Sequence, residues 1–343
     1  MNAMMGCRRS GCAIQSTGAC SEGLSPPESC PNFVAKTRAD SPSYDGELDV
    51  GSSDNQPRDR VHLARGEALT VEEVDEFLRW RPATFVCIVG ESQSGKTTLV
   101  SSLYERFLDG AFGGFEFTSS RTLLGFERRS HLNRVESGRA KPDTLRTSLQ
   151  DGLRYFHFAV TRARLSGPRV DLLLSDRSGE VYRSARNTSN VVVTLTEISQ
   201  ADRVVLLLDG GKIIDPFERS GALQSVRQML RVLVDNSAVG RTSCVQIVTT
   251  KVDLLAESPA RSEIGPILSA YRERLHQDFS PKLHTLSFYE IAARDPSSKL
   301  PLAHGLDVLL NTWTTPMTVA QSTRPPLDLP SEFDRLLQRT PRA

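Results

Sequence analysis

Between about residues 70 and 313 the chain alternates short apolar runs with longer stretches whose apolar positions recur every three or four residues. The runs at 84–89, 154–160, 170–175, 203–208, 243–249 and 283–289 predict strands, and the stretches at 96–108, 219–235, 260–277 and 304–313 predict helices. Alternation of this kind predicts an α/β fold, a mostly parallel sheet covered by helices on both faces. Within 219–235 the residues Leu223, Val226, Met229, Leu230 and Leu233 form one stripe, which is expected to face the core. Upstream, Thr70 reads as a helix N-cap with Glu73 as its box partner, and Val74, Phe77 and Leu78 make one apolar face. That helix should stop near Pro82.

The ends of the chain have a different pattern. Residues 31–60 are rich in Ser, Asp, Pro, Gly and Arg without a sustained apolar period and read as a linker; the stretch from about Pro316 is Pro-rich, charged and tail-like. The expected organisation is a Cys-rich head and disordered linker at 1–60, a lead-in helix at 61–82, one α/β domain at 83–316 and a disordered tail at 317–343. With 42 basic and 41 acidic residues there is no global field to favour nucleic acid or a membrane surface. No apolar run is long enough to span a bilayer and no secretory pattern opens the chain, so a cytoplasmic location is expected. Cys87 and Cys244 lie in strand-like runs and should be core residues, whereas Cys7, Cys12, Cys20 and Cys30 crowd the first 30 positions. The four can surround a zinc ion as thiolates or remain free thiols, because their spacing lacks the close pairs of zinc ribbons.

Three segments carry chemistry. Gly90, Glu91, Ser92, Gln93, Ser94, Gly95, Lys96 and Thr97 follow the first strand of the domain and open a helix that continues through Thr98. This is the pattern of a phosphate-binding loop, in which curled backbone N–H groups face a polyphosphate, Lys96 adds a point charge and the Thr97 hydroxyl serves a magnesium ion. Asp176-Arg177-Ser178-Gly179 follows another strand, placing a carboxylate where it can hold the magnesium shell and a glycine whose N–H can approach a terminal phosphate. An Asp-x-x-Gly match arises about once per chain by chance, so its position after a strand gives it weight. Thr250-Lys251-Val252-Asp253 follows a third strand, and the Asp253 carboxylate can accept both N1–H and the exocyclic amino hydrogens of guanine. The histidines show no pair at metal-ligand spacing, and neither a nucleophile elbow nor a redox cysteine pair occurs.

In the order and placement of these segments, residues 83–315 resemble the translation-factor-related class of P-loop GTPases. The segment Arg121 to Arg129, taken with the Asp176 turn, looks like the bacterial double-GTPase-type branch found near predicted conflict or defence genes. The resemblance implies a P-loop NTPase three-layer sandwich whose strand at Arg154 to Val160 is antiparallel, with GTP or GDP and Mg2+ as cofactors. It also implies a last guanine-contacting element at Ala292-Ala293, although Arg294 follows where the class has a Ser-Ala-Lys type triplet. Only one GTPase unit is visible, so a double arrangement needs a partner chain or a second copy.

Catalysis in such a site rests on positioning and charge stabilisation. Relatives orient the attacking water with a Gln where this chain has Glu180, whose charge calls for a compensating arginine; Arg177 heads the neighbouring candidates, with Arg183 and Arg186. Each can equally be an exposed charge. Thr144 is the first choice for the threonine that senses the γ-phosphate and magnesium, ahead of Thr147, Thr118 and Thr122. The expectation is a cytoplasmic molecular switch with slow GTP hydrolysis, stimulated by a protein partner at the switch segments or by nucleotide-dependent self-association. Its alternatives are a scaffold that binds GTP with little hydrolysis and an ATP-using P-loop NTPase. The arginines between Arg121 and Arg146 lack interleaved aromatics, which ranks nucleic acid low among partners.

Overall fold

The computed structural model describes residues 4–7, 14, 25–26, 29–36, 65–131, 152–163, 167–294 and 299–316. Contacts divide the chain into two units, Met1–Val61 and His62–Ala343.

In the first unit β1 (Met4–Cys7) pairs antiparallel with β2 (Phe33–Lys36), Cys7 opposite Phe33. This corrects the reading of 31–60 as linker throughout. Four residues are too few to establish a period, so the β-favouring Phe-Val pair was the available signal.

The second unit is built on a seven-stranded sheet in the order β4-β5-β6-β3-β7-β8-β9. Its strands are β3 (Thr84–Val89), β4 (Phe115–Ser119), β5 (Arg154–Arg162), β6 (Val170–Asp176), β7 (Arg203–Asp209), β8 (Cys244–Thr250) and β9 (Thr285–Glu290). β5 is antiparallel to both its neighbours, and the remaining pairs are parallel. The six expected strands are all present within two residues of their predicted bounds. The edge strand β4 was not foreseen, because only Phe115 of its five residues is buried.

Helices cover both faces. On one face β3 contributes Val86 and Ile88 to a core shared with α2 (Lys96–Leu108), α3 (Leu123–His131) and, beyond them, the C-terminal helix Leu306–Thr314. On the other, Cys87 and Val89 meet α4 (Gly179–Asn187), α5 (Pro216–Asp235) and α6 (Arg261–Phe279). The alternation of β3 side chains between two cores is the strand period of two made visible. Cys87 and Cys244 are buried as expected.

The lead-in helix α1 (Val71–Trp80) has the full capping box between Thr70 and Glu73. Val74 and Phe77 are buried in a small cluster with Leu69, Phe85, Tyr155 and Leu173, but Leu78 is exposed, so the expected apolar face is narrower by that residue. The edge of β5 beyond β4 is closed by other means. Leu69 exchanges two backbone hydrogen bonds with Tyr155, and the Thr122 hydroxyl accepts from His157 N–H and donates to its carbonyl. These contacts satisfy the edge's backbone groups, which burial would otherwise make costly. No described helix is long and apolar enough to cross a membrane.

Candidate functional site

The strand order reverses at β3, with β6 on one side and β7 on the other, and open α/β sheets hold ligands beyond the strand ends at such a point. The phosphate loop lies there. Gln93 and Gly95 have positive φ, 66° and 97°, which curl the loop before Lys96 opens α2. Gly95 allows this without strain, whereas Gln93 holds a left-handed conformation that side chains adopt rarely. Lys96 donates to the carbonyls of Gly90 at 2.8 Å and Glu91 at 3.0 Å. Burial lowers its pKa to about 8, while the Asp176 and Glu91 carboxylates favour its charge.

That value predicts how polyphosphate binding responds to pH. A bound polyphosphate raises the lysine's pKa, so above pH 8 the empty site must regain a proton to bind. Affinity for GDP is expected to be flat below pH 8 and to fall towards tenfold between pH 8 and 9. Isothermal titration across that range in two buffers of different ionisation heat reads both the slope and the proton uptake; pH-independent binding without proton uptake would refute it.

Asp176, at the tip of β6, is buried, and its Oδ2 lies 2.7 Å from the Arg129 Nη2 on α3. Arg129 also sits over the Phe156 ring, 4.7 Å from its centroid. Arg129 closes the segment that carries the family resemblance, but among several charged neighbours on a helix nothing in the sequence marks it as a site residue. Thr97 lies in the first turn of α2, half-buried, so a hydroxyl and a carboxylate, both hard oxygen donors suited to magnesium, flank the loop. Gly179 packs so tightly on the loop that a Cβ there would fall 2.4 Å from the Ser92 nitrogen and 2.5 Å from the Glu91 carbonyl carbon.

Arg177 is not turned towards the phosphate loop. Its guanidinium forms an ion pair of 3.0 Å with the fully buried Glu197, whose other neighbour is the Tyr182 hydroxyl at 3.3 Å. Burial raises the Glu197 pKa and Arg177 opposes that rise. A buried carboxylate without its cation is strongly destabilising, so this pairing gives Arg177 a structural task beside the catalytic one expected of it. Arg186 pairs with Glu91 of the loop, and Ser225 on α5 donates to the same Glu91 oxygen at 2.7 Å. Burial alone would raise Glu91, but Ser225, Arg186 and Lys212 hold its carboxyl below the usual range. Glu91 is therefore an anchor between the loop, α4 and α5. Arg183 and Glu180 are exposed on α4.

Thr144 and Thr147 lie outside the described residues. Thr122 is committed to the His157 backbone, and Thr118 is on β4, at the edge of the sheet.

At the tip of β8, Thr250 Oγ1 donates to the Ser94 carbonyl at 3.0 Å, and Lys251 Nζ donates to the Gln93 carbonyl at 3.0 Å and to Asp209 Oδ2 at 2.9 Å. Asp209, the last residue of β7, was missed; a carboxylate at a strand tip followed by Gly210-Gly211 was its signal. Gly210 is required because a Cβ there would meet the Thr250 carbonyl oxygen at 2.2 Å. Asp253 is buried in the first turn of the short helix Val252–Glu257. Val252 N–H donates to the Ile291 carbonyl, which brings Ala292 and Ala293, both buried, beside this turn. Arg294 is turned to Glu105, 2.7 Å away.

Of the N-terminal cysteines, Cys12 and Cys20 lie outside the described residues, and Cys30 is a free thiol. Among the described residues no group of three or more His, Cys, Asp or Glu is arranged to hold a metal, so nothing there supports the zinc reading.

A family model described as Double-GTPase 2 matches residues 84–314. No curated protein matches the chain. Among solved structures, the signal recognition particle receptor SRb-GTP/SRX complex from Chaetomium thermophilum aligns at 16% identity and a TM-score of 0.36, over 68% of this chain and 97% of that one. Elongation factor SelB from Methanococcus maripaludis aligns at 16% identity and 0.35, over 68% of this chain and 34% of SelB. The GTP-bound Ski7 GTPase-like domain from S. cerevisiae aligns at 16% identity and 0.39, over 71% and 53%.

Proposed function

The chain belongs to the Double-GTPase 2 family, and on that premise we propose that it binds GTP at the β3–β8 strand tips and hydrolyses it slowly, as a switch read by a protein partner. One observation carries the reading: the segment bearing Asp253 is hydrogen-bonded through Thr250 and Lys251 to the phosphate loop itself. A base-reading carboxylate and a polyphosphate cradle are thereby held on one frame, as a single nucleoside polyphosphate requires.

In this reading the loop N–H groups from Gly90 to Thr98 and Lys96 hold the phosphates, Asp253 reads guanine, and Ala292-Ala293 line the base. Thr97 and Asp176 would hold magnesium, with Thr144 as third contributor; when bound, the ion neutralises charge on the phosphate oxygens. Gly179 would offer its N–H to the terminal phosphate, and Glu180 on α4 would orient water. Hydrolysis frees the Asp176–Asn187 segment and the segment around Thr144, changing what a partner binds. Self-association is a second route to stimulation.

Calorimetric titration of nucleotide-free protein with GTP and with ATP in magnesium tests the reading, followed by single-turnover hydrolysis. GTP preference of at least about a hundredfold with slow cleavage is expected. Equal or ATP-favoured binding would leave an ATP-using enzyme; tight GTP binding without cleavage would leave the scaffold, which the exposed, negatively charged Glu180 favours.

A further inference from the structure

Arg129 is the arginine that the fold brings to the Asp176 carboxylate, beside the phosphate loop. Its helix α3 is pinned on several sides. Phe126 is fully buried and stacks on Tyr104 at 5.1 Å, and Glu127 accepts from the Tyr104 hydroxyl at 3.0 Å. Gly125 donates its N–H to the Gly66 carbonyl at 2.8 Å and lies so close to Ala68 that a Cβ would meet its nitrogen at 2.8 Å. A helix held this way carries Arg129 to the Asp176 carboxylate beside the phosphate loop. The neighbouring Arg128 is mostly exposed and pairs with Glu67, as a solvated helix residue should. Arg129 instead is largely buried, over Phe156, with its Nη2 on a carboxylate that also acts on Lys96.

We propose that Arg129 is a catalytic residue of the GTPase reaction, a chain-supplied arginine held in reserve on Asp176 and passed to the γ-phosphate when that carboxylate is recruited to the magnesium shell. The inference rests on the GTPase reading above. A guanidinium released from Asp176 would remain poorly solvated beside polyphosphate, whose paired oxygens match its fork. As water's oxygen bonds to the γ-phosphorus, the bond from that phosphorus to the β,γ-bridging oxygen breaks. The electron pair stays on GDP, and the water's protons leave with phosphate and solvent. Arg129 acts through its positive charge alone, offsetting the charge growing on the leaving oxygen. Reserve would also make turnover slow, because the arginine must first exchange one anion for another.

The test compares wild type with Arg129→Gln and Arg129→Lys in the full chain, by GDP affinity, single-turnover GTP hydrolysis, trapping of GDP with aluminium fluoride, and magnesium titration of nucleotide binding. Arg129→Gln is expected to keep GDP affinity within about threefold, lose hydrolysis by about a hundredfold or more and fail to trap the fluoride complex. It should also reach half-saturation at several-fold lower magnesium, because the competing cation is gone. Arg129→Lys, retaining charge without the fork, should recover only part of the rate. Wild-type hydrolysis and trapping in Arg129→Gln would overturn the catalytic role. An unchanged magnesium requirement would overturn the reserve arrangement, and loss of GDP binding in both variants would make Arg129 purely structural. If the wild type itself fails to bind or cleave GTP, the GTPase reading falls and this proposal with it.

Discussion

Asp253→Asn is expected to weaken GTP binding by about a thousandfold or more and to make xanthosine triphosphate the preferred nucleotide. Guanine presents two donors on one edge, N1–H and the exocyclic amino group, and a carboxylate accepts both in a charge-assisted pair. Asparagine keeps the shape but turns one acceptor into a donor, which then faces the amino group of guanine. Xanthine has a carbonyl at that position, so the amide's donor finds an acceptor and the pairing is restored. Sites built around such hydrogen bonds reject a mismatched partner strongly, because the buried groups lose their pairing. Asp253 meets the condition, being only 5% exposed. The first turn of its helix also favours a negative charge. Lys251, at φ 54°, and the Val252 to Ile291 hydrogen bond fix the turn from both sides, so the substitution should leave the fold unchanged. Competition of GTP and xanthosine triphosphate for a fluorescent nucleotide analogue measures the change, and undiminished guanine preference would mean that the base is read elsewhere.

The parts of this site legible in the sequence are those whose function depends on local backbone. The phosphate loop, the Asp176 turn and the Asp253 turn each need a strand, a sharp bend and a helix start within about a dozen residues, and that pattern is continuous in the chain. What escaped is held by pairs of distant residues. Arg129 meets Asp176 across 47 positions and Arg186 meets Glu91 across 95, and nothing in the periodicity of either helix marks those arginines from their neighbours. Proximity in sequence favoured Arg177, but its guanidinium is paired with the buried Glu197. β4 was lost for a related reason, since an edge strand with one buried residue carries almost no hydrophobic signature.

These long-range pairs also tie the proposed switch segment to the cradle. Glu91 belongs to the phosphate loop, Arg186 to the helix that follows the Asp176 turn, and Ser225 to a third helix. A displacement of α4 must therefore break a partly buried, charge-assisted contact made with the loop itself. In a two-state switch such a contact favours one arrangement of the turn until nucleotide offers a better one.

Gly179→Ala puts that coupling to a direct test and is expected to lower GTP hydrolysis by about a thousandfold or more while leaving GDP affinity within a few-fold. The added methyl would meet the backbone of Ser92 and Glu91, at 2.4 Å and 2.5 Å, and backbone cannot step aside as a flexible side chain can. The turn itself must lift. Tyr182 and Ala185, one and two turns along the same helix, are fully buried, so the displacement is confined to the turn and does not spread along α4. A shift of about 1 Å in a positioned group costs on the order of a hundredfold in rate, and loss of an aligned N–H donor costs about as much again or more. GDP lacks the phosphate that this N–H would meet, so discrimination between a non-hydrolysable GTP analogue and GDP should collapse along with the rate. Gly221→Ala is the control: it lies in α5 with nothing within 4 Å of its added methyl, and should be neutral or slightly stabilising. If Gly179→Ala hydrolyses GTP at the wild-type rate with its nucleotide discrimination intact, the turn does not contact the terminal phosphate, and the switch must be sought in another segment.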